Sequence, residues 1–173
     1  MPQTRGDRAA SHSSAVPKQL NTINLQKARP DSATYDMSNP GSEHLAYEFF
    51  RRVWAPPHDL DAIDELMTEE YRITTAGRVI AGRENFKTWV AEMQKAITGA
   101  TNEHLEVFTN ASGDRIVSRW ITRGANNGIF GLPPDGAPVE FSGIAIWRVE
   151  HGRLAECWVE RAALELYHRL LGR

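Results

Sequence analysis

Two glutamates bracket a tryptophan near the C-terminal end of this chain, with Glu156, Trp158 and Glu160 falling at every second position. In a strand, alternate side chains share a face, so both carboxyls would stand on the same side as the indole. A carboxyl held against aromatic surface in an apolar hollow has its pKa raised, because desolvation disfavours the anion. It can then act as both acid and base near neutral pH. This spacing predicts general acid/base chemistry with Glu160 in the leading role and Glu156 beside it. The plainer alternative pairs Glu160 with an arginine at the sheet end and Glu156 with Arg119, Arg123 or Arg148.

Other residues would complete such a site. Tyr71 is placed to donate a hydrogen bond to a developing enolate oxygen, unless it is simply core. Trp89, Trp120 and Trp158 are the expected walls of an apolar pocket, being three of five indoles in the chain. Arg123, at the end of a long strand, and Phe130, in the loop after it, are further expected ligand contacts. Asn126 offers an uncharged amide to a ligand, or else only shapes a turn. The six histidines show no pair at metal-ligand spacing, so no metal is expected. Residues 128–131 lack the Lys and Ser/Thr of a phosphate cradle, and no nucleophile motif surrounds a serine or Cys157. The chemistry is therefore expected to need no cofactor.

Positioning these groups requires a sheet and helices. Leu45, Ala46, Phe49, Phe50, Val53 and Trp54 recur at helical spacing after Ser42, and Pro56-Pro57 ends that run. A short helix with Leu60, Ile63, Leu66 and Met67 follows. Residues 71–75 and 78–81 read as two short strands about Ala76-Gly77. Gly82 opens a third helix carrying Phe86, Trp89, Val90, Met93 and Ile97. Beyond Gly99 the period falls to two, giving strands at 104–110, 115–123, 139–149 and 154–160. A helix over 162–171 closes the chain, packing Leu164, Leu166, Tyr167, Leu170 and Leu171. Helices gathered on an antiparallel sheet make an α+β fold, and a strongly bent sheet beneath them leaves a pocket.

Residues 1–40 differ from the rest: they are poor in large apolar side chains and show no periodicity, so a disordered tail is expected before a domain over 41–173. An organelle transit peptide is the alternative for this segment, with Asp7, Asp31 and Asp36 against it. The formal net charge of −2 gives no bulk attraction to nucleic acid or anionic membrane. No apolar run approaches the ~20 residues of a membrane span. One cysteine excludes an internal disulfide and fits a cytoplasmic setting.

Residues 128–143, Gly-Ile-Phe-Gly-Leu-Pro-Pro-Asp-Gly-Ala-Pro-Val-Glu-Phe-Ser-Gly, followed by Ile146-Trp147-Arg148 and Gly152-Arg153-Leu154-Ala155-Glu156-Cys157-Trp158, resemble the signature of the SnoaL-like polyketide cyclases. Gly82-Arg83-Glu84-Asn85-Phe86 and the turn at Gly113-Asp114 also fit. The resemblance implies the cone-shaped nuclear transport factor 2-like fold, a curved antiparallel sheet wrapped by three helices around a pocket. It also implies cofactorless aldol closure of a polyketide in secondary metabolism, a small-molecule substrate, and a homodimer. The family's acid/base aspartate falls on Ala162, and its loop histidine on Asn126. Glu160 is then expected to take over in a cyclase, isomerase or lyase acting on an apolar carbonyl metabolite. The alternatives are a non-catalytic binding or accessory protein and a hydroxylase-type relative.

Overall fold

A computed structural model describes residues 41–172. The expected tail over 1–40 lies outside the described residues.

Helix α1 (Glu43–Glu48) runs directly into a π-helical segment (Phe49–Trp54). Its buried residues, Leu45, Ala46, Phe49, Phe50 and Val53, are those the helical spacing picked out. The wider turn is closed by the Ala55 amide on the Phe50 carbonyl, and the helix stops at Pro56-Pro57, joined by a cis peptide bond. Helix α2 (Ala62–Leu66) leads into strands β1 (Met67–Thr75) and β2 (Arg78–Ala81). Gly82, at φ 88°, turns the chain into helix α3 (Arg83–Ala96), a left-handed conformation that costs glycine little. Strands β3 (Ile97–Thr109), β4 (Arg115–Asn126), β5 (Pro138–Glu150) and β6 (Arg153–Arg161) follow, then helix α4 (Ala163–Leu171).

The six strands form one curved sheet in the order β2-β1-β6-β5-β4-β3. The β3–β6 meander is antiparallel throughout, and β1 joins β6 in parallel. Strand β5 shows the governing pattern: Val139, Phe141, Gly143, Ala145 and Trp147 are buried, while Glu140, Ser142, Ile144 and Ile146 face out. The buried side meets α1, the π-helical segment and α3, and there the aromatic core assembles. Phe49 touches Phe50, Trp54, Phe86 and Trp147 at ring separations of 5.6–6.4 Å, within the range where edge contacts add to area burial.

Four expectations are corrected. The third helix ends at Ala96 instead of including Ile97, and β3 begins there, seven residues before the expected His104. Ile97 and Ala100, three apart, both stay buried because β3 is irregular between Thr98 and Thr101, with Gly99 at φ 63°, so helical spacing persists into the strand. Helix α4 buries only Leu166 and Leu170; Leu164, Tyr167 and Leu171 remain exposed. The sheet gains β1 and β2 as full members in place of a separate small hairpin. The second helix ends at Leu66, and Met67, expected on its buried side, instead opens β1.

Candidate functional site

The concave face of the sheet and the helices over it enclose a cavity of about 650 Å³, counting its open mouth. Its walls are Phe50, Trp54, Trp89, Trp120, Phe141 and Trp147, with Ile73, Met93, Ile97 and Val159 between them. Trp54 and Trp89 meet edge to face at 6.2 Å and are only partly buried. The polar groups that line this hollow are few: Tyr71, Gln94, Asn102, Thr122, Cys157 and Arg161.

Tyr71 enters from β1. It is wholly buried and tilts against Phe86 at 4.8 Å, and its hydroxyl makes no well-formed hydrogen bond among the described residues, having only the Cys157 thiol and the Trp147 indole as weak partners. The Cys157 thiol, the Trp147 indole and Arg161 are its polar neighbours. Burial foremost, then the nearby thiol, push the phenol well above its ordinary pKa of 10.0, so it stays a protonated donor. The Cys157 thiol is itself pushed up to about 12 by burial, which leaves it an inert thiol at neutral pH.

Arg161 enters from the end of β6. Its guanidinium lies 5.4 Å over the Trp89 ring and 5.8 Å over Trp120, the geometry of a cation held by aromatic faces. Nη1 donates to Thr75 Oγ1 at 2.6 Å. No carboxylate forms a salt bridge with it among the described residues, and burial lowers its pKa while leaving it a cation. The row that holds it is fixed by strand register: Trp120 on β4 lies opposite Gly143 on β5, which lies opposite Arg161. A Cβ at Gly143 would fall 2.3 Å from Trp120 Cζ2, so glycine is what lets this indole lie across the sheet.

Among the expected site residues, Tyr71, Trp89 and Trp120 line the cavity. The others lie elsewhere. Glu160 is exposed on the convex face, as is Trp158 at 39%. Glu156 shares that face and accepts from Arg148 Nε at 3.2 Å, the arginine pairing anticipated for it. The physical reason is the phase of β6: Cys157 and Val159 are paired with inward-facing Trp147 and Ala145, so their neighbours in sequence must face out. Arg123 is exposed between Glu103 and Glu140, at 2.8 Å from each. Phe130 is 45% exposed and meets Tyr167 edge-on at 5.7 Å.

Asn126 is buried, yet all of its amide is consumed by its own loop. Nδ2 donates to the Pro133 carbonyl and to Asp135, while Oδ1 accepts from the Gly128 and Ile129 amides. It is a knot for residues 126–137 with nothing left to offer a ligand. Trp147, Asn102, Cys157 and Arg161 were missed. The signal that could have found them is the alternation of β5, because a buried Trp147 forces its β6 partner Cys157, and with it Arg161, inward.

Among the described residues, no three His, Cys, Asp or Glu side chains gather as metal ligands, and no helix is long and apolar enough to cross a membrane.

Comparison with solved structures gives the fold independently. A candidate SnoaL-like polyketide cyclase from Jannaschia sp. CCS1 superposes with a TM-score of 0.68 at 20% identity, covering 73% of this chain and 89% of the other. TsrD from Streptomyces laurentii gives 0.66 at 24% identity, with 78% and 97% covered. IdmH from Streptomyces antibioticus, a candidate polyketide cyclase, gives 0.64 at 20% identity, with 76% and 99% covered. No curated protein matches by sequence. The sequence profile of the SnoaL-like polyketide cyclases matches residues 44–169, from the start of α1 into α4, and the chain belongs to that family.

Proposed function

We propose that this chain is a cofactor-independent enzyme of the cyclase, isomerase or lyase type, acting on a polyketide-like or other apolar carbonyl metabolite in the aromatic cavity. The observation that carries the reading is the Tyr71 hydroxyl: a buried O–H with only a thiol and an indole as weak partners, at the wall of an aromatic hollow, kept protonated by its surroundings. Leaving such a group unpaired costs about 1–3 kcal/mol, which a ligand oxygen would recover.

The proposed role is that of an electrophile. A carbonyl oxygen of the ligand accepts from Tyr71 Oη. An acidic CH between two carbonyls of the same molecule gives its proton to water and becomes the enolate; as that carbon attacks the first carbonyl and the C–C bond forms, the C=O electron pair moves to oxygen. The alkoxide takes the phenolic proton, and solvent at the mouth returns one to the tyrosinate. A donor fixed in an apolar site stabilises the developing oxyanion without reorganisation. The test is Tyr71→Phe, assayed by mass spectrometry against a panel of poly-β-keto esters and acids in metal-free buffer. The expected result is turnover by the wild-type chain, reduced about 10²–10³-fold in the variant, with binding retained. Equal turnover in both removes Tyr71 from the reaction.

The cavity lining holds no carboxylate or imidazole, which favours a second reading: ligand binding without turnover. Tryptophan quenching by compounds that are recovered unchanged would support it. AclR from Streptomyces galilaeus, a candidate hydroxylase, shares the fold at a TM-score of 0.65 and 16% identity; oxygen uptake with substrate would point that way.

A homodimer through the convex face completes the proposal. Val79, Thr74, Trp158, Ile146, Val117 and Phe108 pair in succession across all six strands. Four of them are large and exposed, at 39–59%. An apolar stripe flanked by Arg119, Glu160 and Glu106 on one side and by Arg72, Glu156 and Arg148 on the other is self-complementary about a two-fold axis. Light scattering at micromolar concentration is expected to give twice the chain mass, falling to one chain for Trp158→Glu. A monomeric wild type refutes the dimer.

A further inference from the structure

A buried cation ordinarily has an anion beside it, since the attraction must offset the loss of hydration. Arg161 is partly buried, and its guanidinium meets two aromatic faces and the Thr75 hydroxyl, with Tyr71 and Cys157 nearby and no carboxylate in a salt bridge with it among the described residues. Two quadrupoles and a neutral acceptor offset part of the desolvation, and Nη1 is the fork nitrogen that donates to a described side chain. The rest of the cavity repeats this imbalance. Its side-chain polar atoms lacking a partner are Tyr71 Oη, Trp120 Nε1, Trp147 Nε1 and Asn102 Nδ2, all of which can donate; none is a carbonyl or carboxylate oxygen. Of the two amide acceptors in this lining, Asn102 Oδ1 is taken by the Thr122 hydroxyl at 2.5 Å, and Gln94, tied by Nε2 to the Val53 carbonyl, supplies the other. The hollow is positive, rich in donors and poor in acceptors.

We infer that the cavity binds an organic anion, a flat apolar body bearing a planar delocalised oxyanion that lodges on Arg161. The guanidinium fork matches two oxygens in one plane, which a carboxylate or the enolate of a 1,3-dicarbonyl presents and a neutral ester does not. The indoles of Trp89 and Trp120, which stack on the guanidinium, continue as walls for the apolar body. This deepens the functional reading above and rests on it for the cavity being the ligand site.

The probes are 2-naphthoate, methyl 2-naphthoate and 1-(2-naphthyl)butane-1,3-dione, titrated calorimetrically into the full chain and into Arg161→Met. Truncating one partner of a buried charge pair typically weakens binding by about 30-fold or more. Naphthoate is therefore expected to bind at least ~30-fold more tightly than its ester, and the variant to lose that preference while holding the ester within a factor of about three. An affinity for the diketone that rises with pH through its own ionisation, and is flat in the variant, identifies an enolate as the second source of the oxyanion. If ester and acid bind alike and the diketone shows no pH dependence, the anion inference is overturned while the cavity reading stands. If none of the three binds, both fail. Met replaces a charge that lacks a counter-ion, so the variant is expected to melt no lower than wild type; should it not fold, Arg161→Lys and the wild-type acid-to-ester ratio decide the matter.

Discussion

Replacing Asn126 separates a structural knot from a ligand contact. In Asn126→Ala, the Gly128 and Ile129 amides lose their acceptor, and the Pro133 carbonyl and Asp135 lose a donor at 2.8 and 2.7 Å. The Ile129 amide is the buried one, and stranding it costs about 1–3 kcal/mol; the three groups nearer solvent regain water and cost about 0.5–1 each. Allowing for non-additivity within one network, the loss is about 3–4 kcal/mol, or roughly 10 °C in Tm for a domain of this size. Asn126→Asp sharpens the test. It keeps the acceptor for both amides but sets a carboxylate oxygen against a carbonyl and against the Asp135 carboxylate. Two acids that must share a proton have a folded-state pKa raised above the unfolded value. The variant is thus expected to be near wild type at low pH and to lose stability as pH rises through that raised pKa. Differential scanning calorimetry across pH 4–8 reads both effects. An Ala variant melting within about 2 °C of wild type, or an Asp variant indifferent to pH, would refute the knot and return Asn126 to the list of ligand contacts.

Glu160→Gln is expected to leave both Tm and ligand affinity unchanged, because the carboxyl stands on the convex face away from the cavity; loss of turnover in a chain that still binds would contradict this. Gly143→Ala pushes a methyl into the Trp120 ring, and should cost about 1–3 kcal/mol and alter tryptophan emission as the indole is displaced. His104 is buried against Tyr47 and Phe50, which holds its pKa down at about 4 from 6.5. With the folded-state value below the unfolded one, stability is full above pH 6.5 and declines toward pH 4 with a slope of up to about 1.4 kcal/mol per pH unit from this group. Urea titrations at a series of pH values should show His104→Phe flattening that slope, and an unchanged slope would acquit the histidine.

How much of this was legible depends on what kind of signal each feature has. The helix stripes, the Gly82 start and the β3–β6 meander were readable because each follows from a local period with turn residues at its ends. The α3–β3 boundary was not, since Ile97 and Ala100 keep helical spacing and both reach the core only through the strand irregularity between Thr98 and Thr101, which no local period signals. Trp89 and Trp120 are legible as apolar wall residues, which burial alone requires, and Tyr71 as a donor or core residue, whereas Trp158, expected beside them, faces out. The failure lies in β6. Its two faces read Glu-Trp-Glu and Ala-Cys-Val-Arg, and neither is plainly apolar, so the largest side chain tipped the choice toward Trp158. What decides the phase is non-local: β5 puts Trp147 and Ala145 inward, and cross-strand pairing carries that parity to Cys157 and Val159. Arg161 was passed over because a charge at a strand end ordinarily means solvent.

Parity also explains why Glu160 cannot substitute for the aspartate that the resemblance sets at Ala162. The two positions are two apart, which in a continuing strand would place them on one face. The strand, however, ends at Arg161, and Ala162 (φ −71°, ψ 51°) turns the chain into α4 with its amide still bonded to Ser142. Position 162 is therefore freed from the pleat, whereas position 160 is bound to it and must face outward. Arg161 is the last residue obliged to face in, and it stands nearest in sequence to the point where the family carries its acid. A cation there inverts the electrostatics that a carboxylate would give: proton abstraction is disfavoured beside it, and an oxyanion is favoured. The chemistry proposed for this cavity is stabilisation of negative charge that the ligand brings or develops, with Tyr71 as the proton donor.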